Sequence, residues 1–238
     1  MIRTPGDDME TKELFIDLAD RSEAILTVPA ARPLWAGVVL AHGLANDMHH
    51  PLLAACAGVL GARGYSTLRF NFPYRRRGED LPDPPEVLIG SLRQALEALG
   101  RHAPRPLKKL VVGGKSLGGR MAITAVSQGA IEASALVLLG YPLHPPGREE
   151  ELRDGPLRAV EIPMLIFAGT RDPFCNLAVL ERVLGETKAP WTLETVPGGD
   201  HSFVPPLGDD RTEGEIYRWI GERTARWLED LFGKEKTD

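Results

Sequence analysis

Four short apolar runs along the chain contain almost no polar residues, and several of them are rich in β-branched side chains. They cover residues 37–41, 110–112, 135–139 and 164–168. Unbroken apolar runs of this length, unlike alternating ones, are typical of parallel strands that helices cover on both faces. Weaker strand patterns cover residues 14–18, 24–28, 65–70 and 191–196. The hydrophobic pattern therefore predicts a sheet of about eight strands.

Helical patterns lie between most of these strands, and they cover residues 51–62, 87–99, 118–127, 177–184 and 213–232. In the last segment, Ile216, Trp219 and Ile220 lie three and four residues apart, which is the spacing of an amphipathic helix face. Alternating strands and helices predict a doubly wound, mostly parallel α/β sheet with helices on both faces. No helix separates the first two strands, so we expect an antiparallel hairpin at the sheet edge.

Composition and charge are those of an ordinary globular domain. The 238 residues are 43% hydrophobic and 26% charged, with a net charge of -5. These values exclude a largely disordered chain and show no basic balance typical of nucleic-acid binding. No apolar run is long enough to span a membrane, and the first twenty residues lack the apolar segment of a signal peptide. We expect one cytoplasmic domain over residues 1–238, with flexible ends at 1–10 and 233–238.

Cysteine and histidine usage gives no sign of a disulfide framework or a metal centre. Cys56 and Cys175 are far apart in the sequence, and we expect both to be reduced thiols, with Cys175 buried. A cluster at residues 47–50 reads DMHH, but no further ligand follows at a recognisable metal spacing. A capping or surface role is therefore favoured for this cluster. We expect neither a metal nor another cofactor.

Residues 113–119 read GGKSLGG, directly after one predicted strand and before a predicted helix. They contain the G-x-S-x-G pattern of a nucleophile elbow, in which Ser116 would occupy a sharp turn. Gly114 and Gly118 would let the strand and helix approach closely. A glycine-rich turn without chemistry is one alternative, and the end of a phosphate-binding P-loop is another. The P-loop pattern requires a glycine where this chain has Lys109, so the nucleophile is favoured.

A serine nucleophile needs a base, and the base needs an acid to orient it. Asp172 and His201 each follow a predicted strand, so Ser116, Asp172 and His201 would lie on three successive loops at the carboxyl edge of one sheet. Their order along the chain is that of α/β hydrolases. Asp172 could instead be a turn residue before a proline, and His201 a packed loop histidine. Asp200 is disfavoured as the acid because it adjoins the base.

The same sheet edge supplies the remaining candidate residues. The N–H groups of Leu44 and Leu117 are the expected oxyanion donors. The candidate substrate-binding residues are His42, Gly43, Tyr74, Arg76 and Tyr141. Arg75, Arg76 and Arg77 form either a solvated basic turn or a site for an anionic substrate group. Lys115 is predicted to pair with a local carboxylate, and the proline-rich stretches 73–85 and 142–156 are predicted as ordered loops.

Several segments together resemble one branch of the α/β-hydrolase superfamily, the small, lidless, dienelactone-hydrolase-like proteins. These segments are HG at 42–43, RFNFPY at 69–74, GGKSLGGR at 113–120, LGYPLHPPG at 139–147 and GTRDPF at 169–174. The resemblance extends over residues 35–231. It implies the α/β-hydrolase fold without a large lid, and a triad of Ser116, Asp172 and His201.

Within this branch, the chain resembles a subfamily of mostly bacterial proteins that are called hydrolases because of their fold. That subfamily also includes a testis-expressed animal protein and a subunit of a chromatin acetyltransferase complex. Two features depart from the relatives. Dienelactone hydrolases use a cysteine nucleophile where this chain has Ser116, and Leu44 replaces a smaller residue, which would narrow the mouth of the pocket.

These observations predict a serine hydrolase of carboxylesterase type. It would cleave a small carboxylic ester, thioester or related acyl bond through an acyl-enzyme intermediate. The expected partner is a small-molecule acyl substrate, without nucleic acid or membrane, and a homo-oligomer is compatible with the sequence. The alternative is a non-catalytic interaction protein that retains the hydrolase fold, but a pure scaffold has no need of Ser116, Asp172 and His201 together.

Overall fold

The computed structural model describes residues 11–29 and 32–233. It contains one eight-stranded sheet, and each predicted strand is confirmed with small differences at its ends. The strands are β1 (Thr11–Asp17), β2 (Glu23–Pro29), β3 (Ala36–Ala41), β4 (Ser66–Phe70), β5 (Lys109–Lys115), β6 (Ala135–Leu139), β7 (Met164–Gly169) and β8 (Trp191–Val196). The predicted flexible ends lie outside the described residues, apart from Gly233.

Seven helices lie within the described residues, and five of them match the predicted segments. They are α1 (Pro51–Ala62), α2 (Pro73–Arg76), α3 (Pro85–His102), α4 (Leu117–Ser127), α5 (Gly155–Ala159), α6 (Leu177–Gly185) and α7 (Glu213–Phe232). The loop prediction for residues 73–85 is partly wrong, because this stretch begins with the short helix α2. Pro73 occupies its first turn, where the missing proline N–H costs no intrahelical hydrogen bond.

The strand order in the sheet is β1-β2-β4-β3-β5-β6-β7-β8. β1 and β2 form the predicted antiparallel edge hairpin, β2 also pairs antiparallel with β4, and the remaining neighbours are parallel. The chain places β4 on one side of β3 and then continues with β5 on the other side. Ligands of open α/β sheets bind at such a reversal of strand order, beyond the carboxyl ends of the strands.

The central strands are buried on both faces, which explains the unbroken apolar runs. Neighbouring residues of β3 enter different cores: Val39 belongs to the core that contains side chains of α3, α4 and α6, whereas Val38 belongs to the core that contains side chains of α1 and α7. The segment between β6 and β7 contains only α5, so no large lid is present there. None of the described helices combines the length and apolarity that crossing a membrane requires.

Candidate active site

Ser116 lies in the turn that joins β5 to α4, with φ 49 and ψ -112. A positive φ is rare for a residue with a side chain, and it indicates backbone strain that the surrounding structure must maintain. The expected close packing around the turn is present. A Cβ on Gly114 would lie 2.1 Å from the carbonyl oxygen of Ala41, and one on Gly118 would lie 2.3 Å from the same oxygen. Only glycine therefore fits at these two positions.

A continuous chain of hydrogen bonds joins Ser116, His201 and Asp172. The Ser116 Oγ lies 2.8 Å from His201 Nε2, and His201 Nδ1 lies 2.8 Å from Asp172 Oδ2. An ionised carboxylate can only accept, so the Nδ1–H of His201 is the donor, and its Nε2 is free to accept the Ser116 hydroxyl hydrogen. The Asp172 side chain is fully buried, whereas that of His201 is 18% exposed. The three predicted residues are thus brought together.

Local packing fixes the acid and the imidazole. Asp172 Oδ1 accepts a hydrogen bond from the Phe174 N–H over 2.8 Å, and the Phe174 ring lies 4.4 Å from the His201 ring. Asp200, the residue before the imidazole, points elsewhere: its Oδ1 accepts from the N–H groups of Ser202 and Val204. Asp200 therefore stabilises its own turn, and Asp172 is the carboxylate that contacts the imidazole.

The three residues do not lie on successive loops, which corrects one expectation. They follow β5, β7 and β8, while β6 lies between β5 and β7 in the sheet. Gly140, which directly follows β6, has φ +66, and a Cβ there would lie 3.0 Å from the carbonyl oxygen of His201. The loop after β6 therefore supplies no reacting group. It leaves space for the backbone of His201.

The loop after β3 passes directly beside Ser116. A Cβ on Gly43 would lie 3.5 Å from Ser116 Cβ, so the backbone at Gly43, one residue before Leu44, lies against the nucleophile. The Leu117 N–H begins α4 on the other side of the turn. Within residues 11–29 and 32–233, neither N–H donates to a protein acceptor. Both are therefore available to stabilise a negative oxygen beside Ser116.

His42 is buried, and its ring holds this loop in place through two hydrogen bonds. Its Nε2 accepts a hydrogen bond from the Phe72 N–H over 3.0 Å, so its Nδ1–H donates to the Gly43 carbonyl oxygen over 2.7 Å. Burial lowers the pKa of His42 to about 4, which keeps the ring neutral at physiological pH. A neutral ring is required, because only a neutral imidazole can donate at one nitrogen and accept at the other.

A cavity of about 430 Å³ opens above Ser116 and is lined in part by His201, Gly43, Leu44 and Leu117. Two other surface cavities, of about 340 and 390 Å³, are similar in size. Neither of them is lined by Ser116, Asp172 or His201. The groups around the first cavity, and not its volume, therefore identify it as the candidate active site.

A family model described as "Alpha/beta hydrolase domain" matches residues 35–229, which is most of the chain. The chain belongs to the alpha/beta hydrolase family. The predicted fold class is therefore confirmed, and so is the predicted resemblance to the α/β-hydrolase superfamily.

Solved structures with the same fold include three members of related groups. A dienelactone hydrolase from Anabaena variabilis is 21% identical, with 93% of this chain and 97% of that chain covered and a TM-score of 0.69. A serine hydrolase without a lid from Xanthomonas campestris is 20% identical (94% and 98% covered, TM-score 0.66). Est1E from Butyrivibrio proteoclasticus, solved with ferulic acid bound, is 15% identical (93% and 100% covered, TM-score 0.71). At these identities the likeness shows the fold alone.

The two candidate substrate-binding tyrosines of this alpha/beta hydrolase lie behind the residues that line the cavity. The Tyr74 hydroxyl donates to the carbonyl oxygen of Leu44 over 2.8 Å, and the Tyr141 hydroxyl donates to that of Arg153 over 2.6 Å. Both tyrosines are buried, and neither lines the cavity, nor does His42. Of the five candidates, only Gly43 lines it. The tyrosines therefore hold the loops that form the wall.

The arginine triplet lies outside the cavity of the hydrolase. Arg76 donates to the backbone oxygen of Asp20 over 3.4 Å. Arg75 pairs with Asp80, and Arg77 pairs with Glu79 and Asp83. Carboxylates therefore pair with Arg75 and Arg77 but not with Arg76, which favours the solvated basic turn over the anion site.

Three cationic side chains around the cavity were missed or misjudged from the sequence. Arg120 and Arg153 line it, and neither was predicted as a site residue. Lys115 also lines it, and the prediction of an ion pair is wrong: among the described residues it has no salt-bridge partner. Burial lowers the pKa of Lys115, opposed by the more distant charges of Asp172 and Asp200. The sequence offered one signal for these three residues: Arg120 follows Ser116 by four residues, which places it on the same side of the helix as the nucleophile.

The remaining sequence candidates have structural roles in the described part of the hydrolase. Asp47 accepts from the His49 N–H, and His50 caps α1 by accepting from the Leu52 N–H. Across residues 11–29 and 32–233, no group of three or more His, Cys, Asp or Glu could hold a metal ion. Cys56 and Cys175 are both free and buried, and burial raises the pKa of each to about 12.

Proposed function

We propose that this protein is a serine hydrolase that cleaves a small carboxylic ester, thioester or related acyl bond. The observation that carries the proposal is the hydrogen-bonded chain from Asp172 through His201 to Ser116 at the base of an open cavity. A serine hydroxyl is a weak nucleophile until a base removes its proton. In this arrangement the base is already within hydrogen-bonding distance.

In the first half of the reaction, Ser116 Oγ attacks the acyl carbon while His201 Nε2 takes the hydroxyl proton. Asp172 Oδ2 holds the imidazole through its Nδ1–H and stabilises the positive charge that develops on the ring. The Leu44 and Leu117 N–H groups donate to the oxyanion of the tetrahedral intermediate, each contributing about 3–4 kcal/mol. His201 then returns the proton to the leaving alcohol or thiol, and the acyl group remains on Ser116.

In the second half, water replaces the leaving group. His201 Nε2 takes a proton from this water, whose oxygen attacks the acyl carbon on Ser116, and the same oxyanion donors act again. Collapse of the intermediate releases the carboxylic acid and returns the proton to Ser116 Oγ. The cavity mouth is open to solvent and lacks a lid, so water reaches the acyl-enzyme directly.

The open cavity favours short acyl groups over long-chain lipids. Long-chain substrates need an extended apolar cover, and the short α5 segment between β6 and β7 offers none. Leu44, at the cavity mouth and 44% exposed, narrows the entrance further. Two free, buried thiols fit a protein that works in a reducing compartment such as the cytoplasm.

A fluorophosphonate probe tests the proposal, because it reacts with an activated serine and not with an ordinary hydroxyl. We expect the probe to label the wild type on Ser116 and to leave Ser116→Ala unlabelled. Ser127→Ala is the matched control: Ser127 lies at the end of the same helix, bonded to Thr124, and its loss should leave labelling unchanged.

Turnover of 4-nitrophenyl esters from acetate upward supplies the second readout. We expect hydrolysis of acetate and butyrate esters and little of long-chain esters. A wild-type protein that resists the probe and hydrolyses no ester would overturn the proposal. The interaction-protein alternative would then replace it.

A further inference from the structure

Two arginines line the cavity beside Ser116 without a counter-ion. Neither the side chain of Arg120 nor that of Arg153 forms a salt bridge or hydrogen bond within the described residues, and no Asp or Glu lines the cavity with them. The chain as a whole carries a net charge of -5. The positive charge in this cavity is therefore a local feature that differs in sign from the whole protein.

Arg120 is fixed one helical turn beyond the nucleophile. Its N–H donates to the Ser116 carbonyl oxygen over 2.9 Å, so both residues lie on the same side of α4. Its Nε is buried and has no partner. Burial lowers the pKa of Arg120, and the nearby positive charge of Arg153 lowers it further. The buried Nε is therefore a donor without an acceptor among the described residues, and an anion bound to the guanidinium would supply one.

Other buried arginines of the chain differ in one respect. The Nε of Arg69 is also unbonded, but its terminal nitrogens contact Glu13 and the Met48 carbonyl oxygen. Arg75 likewise has an unbonded Nε and a terminal nitrogen paired with Asp80. The Arg120 guanidinium has no partner within residues 11–29 and 32–233 at any of its nitrogens. An unbonded Nε is thus ordinary in this protein, whereas a wholly unpaired, half-buried guanidinium at the cavity wall is not.

Arg153 is held in place by its backbone. Its N–H donates to the Leu143 carbonyl oxygen over 2.7 Å, and its own carbonyl oxygen accepts from the buried Tyr141 hydroxyl over 2.6 Å. These bonds fix the loop between β6 and α5 while its side chain remains free to meet a ligand. Arg120 and Arg153 line the same cavity, and they lie near enough for the charge of Arg153 to lower the pKa of Arg120. The fold therefore holds two positive groups near each other in spite of their repulsion.

We propose that Arg120 and Arg153 form a subsite for an oxyanion of the substrate, a carboxylate or a phosphate. This inference rests on the proposed function and names its substrate class: an ester or thioester that carries a second, anionic group a few bonds from the scissile carbonyl. Guanidinium groups match the two oxygens of a carboxylate or phosphate with parallel N–H donors. Arg120 lies one helical turn beyond Ser116, so an anionic group a few bonds from the scissile carbonyl is within reach of its long side chain.

Paired esters of equal shape test the inference kinetically. Mono-4-nitrophenyl glutarate is compared with its terminal amide, which places the charge on the acyl side, and 3-acetoxybenzoate is compared with 3-acetoxybenzamide, which places it on the leaving group. We expect kcat/KM for the anionic member of at least one pair to exceed that of its amide by about tenfold. The pair that shows the preference identifies the side that faces Arg120 and Arg153.

Matched variants assign this preference to the two arginines. Arg120→Gln and Arg153→Gln should each reduce the anionic preference, the ratio of kcat/KM for the anionic ester to that for its amide, toward unity. Arg120→Lys should restore part of it, because it keeps the charge and loses the fork of donors. Arg182→Gln, which removes an exposed arginine on α6, should change nothing. Equal rates for both members of both pairs in the wild type would overturn the inference.

A binding experiment makes the inference independent of turnover. Ser116→Ala protein is titrated with benzoate, phenylphosphonate and benzamide and followed by NMR. We expect the anions to bind and benzamide not to bind, with the tighter anion distinguishing carboxylate from phosphate, and we expect Arg120→Gln to weaken that binding about tenfold. Binding that survives both arginine variants would overturn the inference.

The two proposals fail in different ways. Neutral esters cleaved by a wild type without anionic preference would leave the hydrolase function standing and remove the subsite. Arginine-dependent anion binding in a protein that cleaves no ester would leave the anion subsite standing and remove the hydrolase function.

Discussion

The Tyr74 hydroxyl donates a hydrogen bond to the carbonyl oxygen of Leu44 over 2.8 Å, and it lies 3.4 Å from the carbonyl oxygen of Gly43. These two carbonyls flank the Leu44 N–H, the proposed oxyanion donor. Tyr74 itself is buried, and burial raises the pKa of its hydroxyl to about 12, so the group remains a donor at any physiological pH. A side chain outside the cavity thus orients a backbone group inside it.

Tyr74→Phe should therefore lower kcat more than it raises KM. Without the Tyr74 hydroxyl, the Leu44 carbonyl oxygen loses its side-chain donor and the Gly43 carbonyl oxygen keeps only His42 as a side-chain donor. The loop that carries the Leu44 N–H is then less firmly oriented toward the oxyanion, which acts on the transition state and not on the bound ester. We expect kcat to fall about tenfold, and the free energy of unfolding to fall by only about 1 kcal/mol. Steady-state kinetics and urea unfolding measure the two effects. An unchanged kcat would contradict this role.

Asp172→Asn should reduce kcat by about 10³–10⁴-fold without unfolding the protein. The amide oxygen can still accept from the Phe174 N–H, but the amide NH₂ then faces His201 Nδ1. The imidazole must accept at Nδ1 and carry its hydrogen on Nε2, where it cannot take the Ser116 proton. Asp200→Asn is the control, because its oxygen continues to accept from Ser202 and activity should be retained. Equal losses in both variants would contradict the assignment of Asp172.

Gly114→Ala should prevent folding of the native sheet. A Cβ there would lie 2.1 Å from the carbonyl oxygen of Ala41, and backbone in the centre of the sheet cannot move aside. Gly90→Ala provides the contrast: Gly90 lies inside α3 with no atom within 4 Å of the added carbon. That variant should gain roughly 0.5–1 kcal/mol of stability from helix propensity. Soluble yield and thermal unfolding compare the two, and a folded Gly114→Ala protein would refute the packing argument.

His42 should make the fold less stable as the pH falls from 6.5 toward 4. Its pKa is about 4 in the folded protein, below the ordinary value of 6.5, so the unfolded chain binds this proton first. The stabilisation is fully present above pH 6.5 and is lost as the pH falls through the folded pKa. The shift corresponds to about 3 kcal/mol. His42→Gln should be less stable at pH 7 and show a flatter pH dependence of unfolding between pH 4 and 6.5, and the same slope as wild type would contradict this.

The fold could be predicted from the sequence because the central strands are buried on both faces. Adjacent residues such as Val38 and Val39 enter opposite cores, so these strands read as continuous apolar runs. Ser116 and Asp172 could be chosen because each follows such a strand, and His201 because it follows the weaker strand pattern of β8; parallel topology brings these strand ends to one edge. The closer subfamily resemblance and the cytoplasmic location stay predictions.

The residues that were missed or misplaced depend on tertiary pairing. The significance of Arg120 and Arg153 lies in the absence of partners, which only three-dimensional neighbours reveal. Tyr141 lies along the right sheet edge but points its hydroxyl at the backbone of Arg153 instead of the cavity. The triplet at Arg75–Arg77 is different, since the carboxylates that pair with Arg75 and Arg77 follow within a few residues and are visible in the sequence.

Trapping the acyl-enzyme tests the central claim most directly. Wild type and Ser116→Ala are mixed rapidly with excess 4-nitrophenyl acetate, 4-nitrophenol release is followed from the first milliseconds, and the quenched protein is digested and mapped by mass spectrometry. With so good a leaving group, acylation should outrun deacylation and give a burst stoichiometric with enzyme. We predict that burst in the wild type, with the acetyl group on the peptide containing Ser116, and neither in the variant. A wild type that releases 4-nitrophenol without acetylation of Ser116, or a variant that reproduces the burst, would contradict the account.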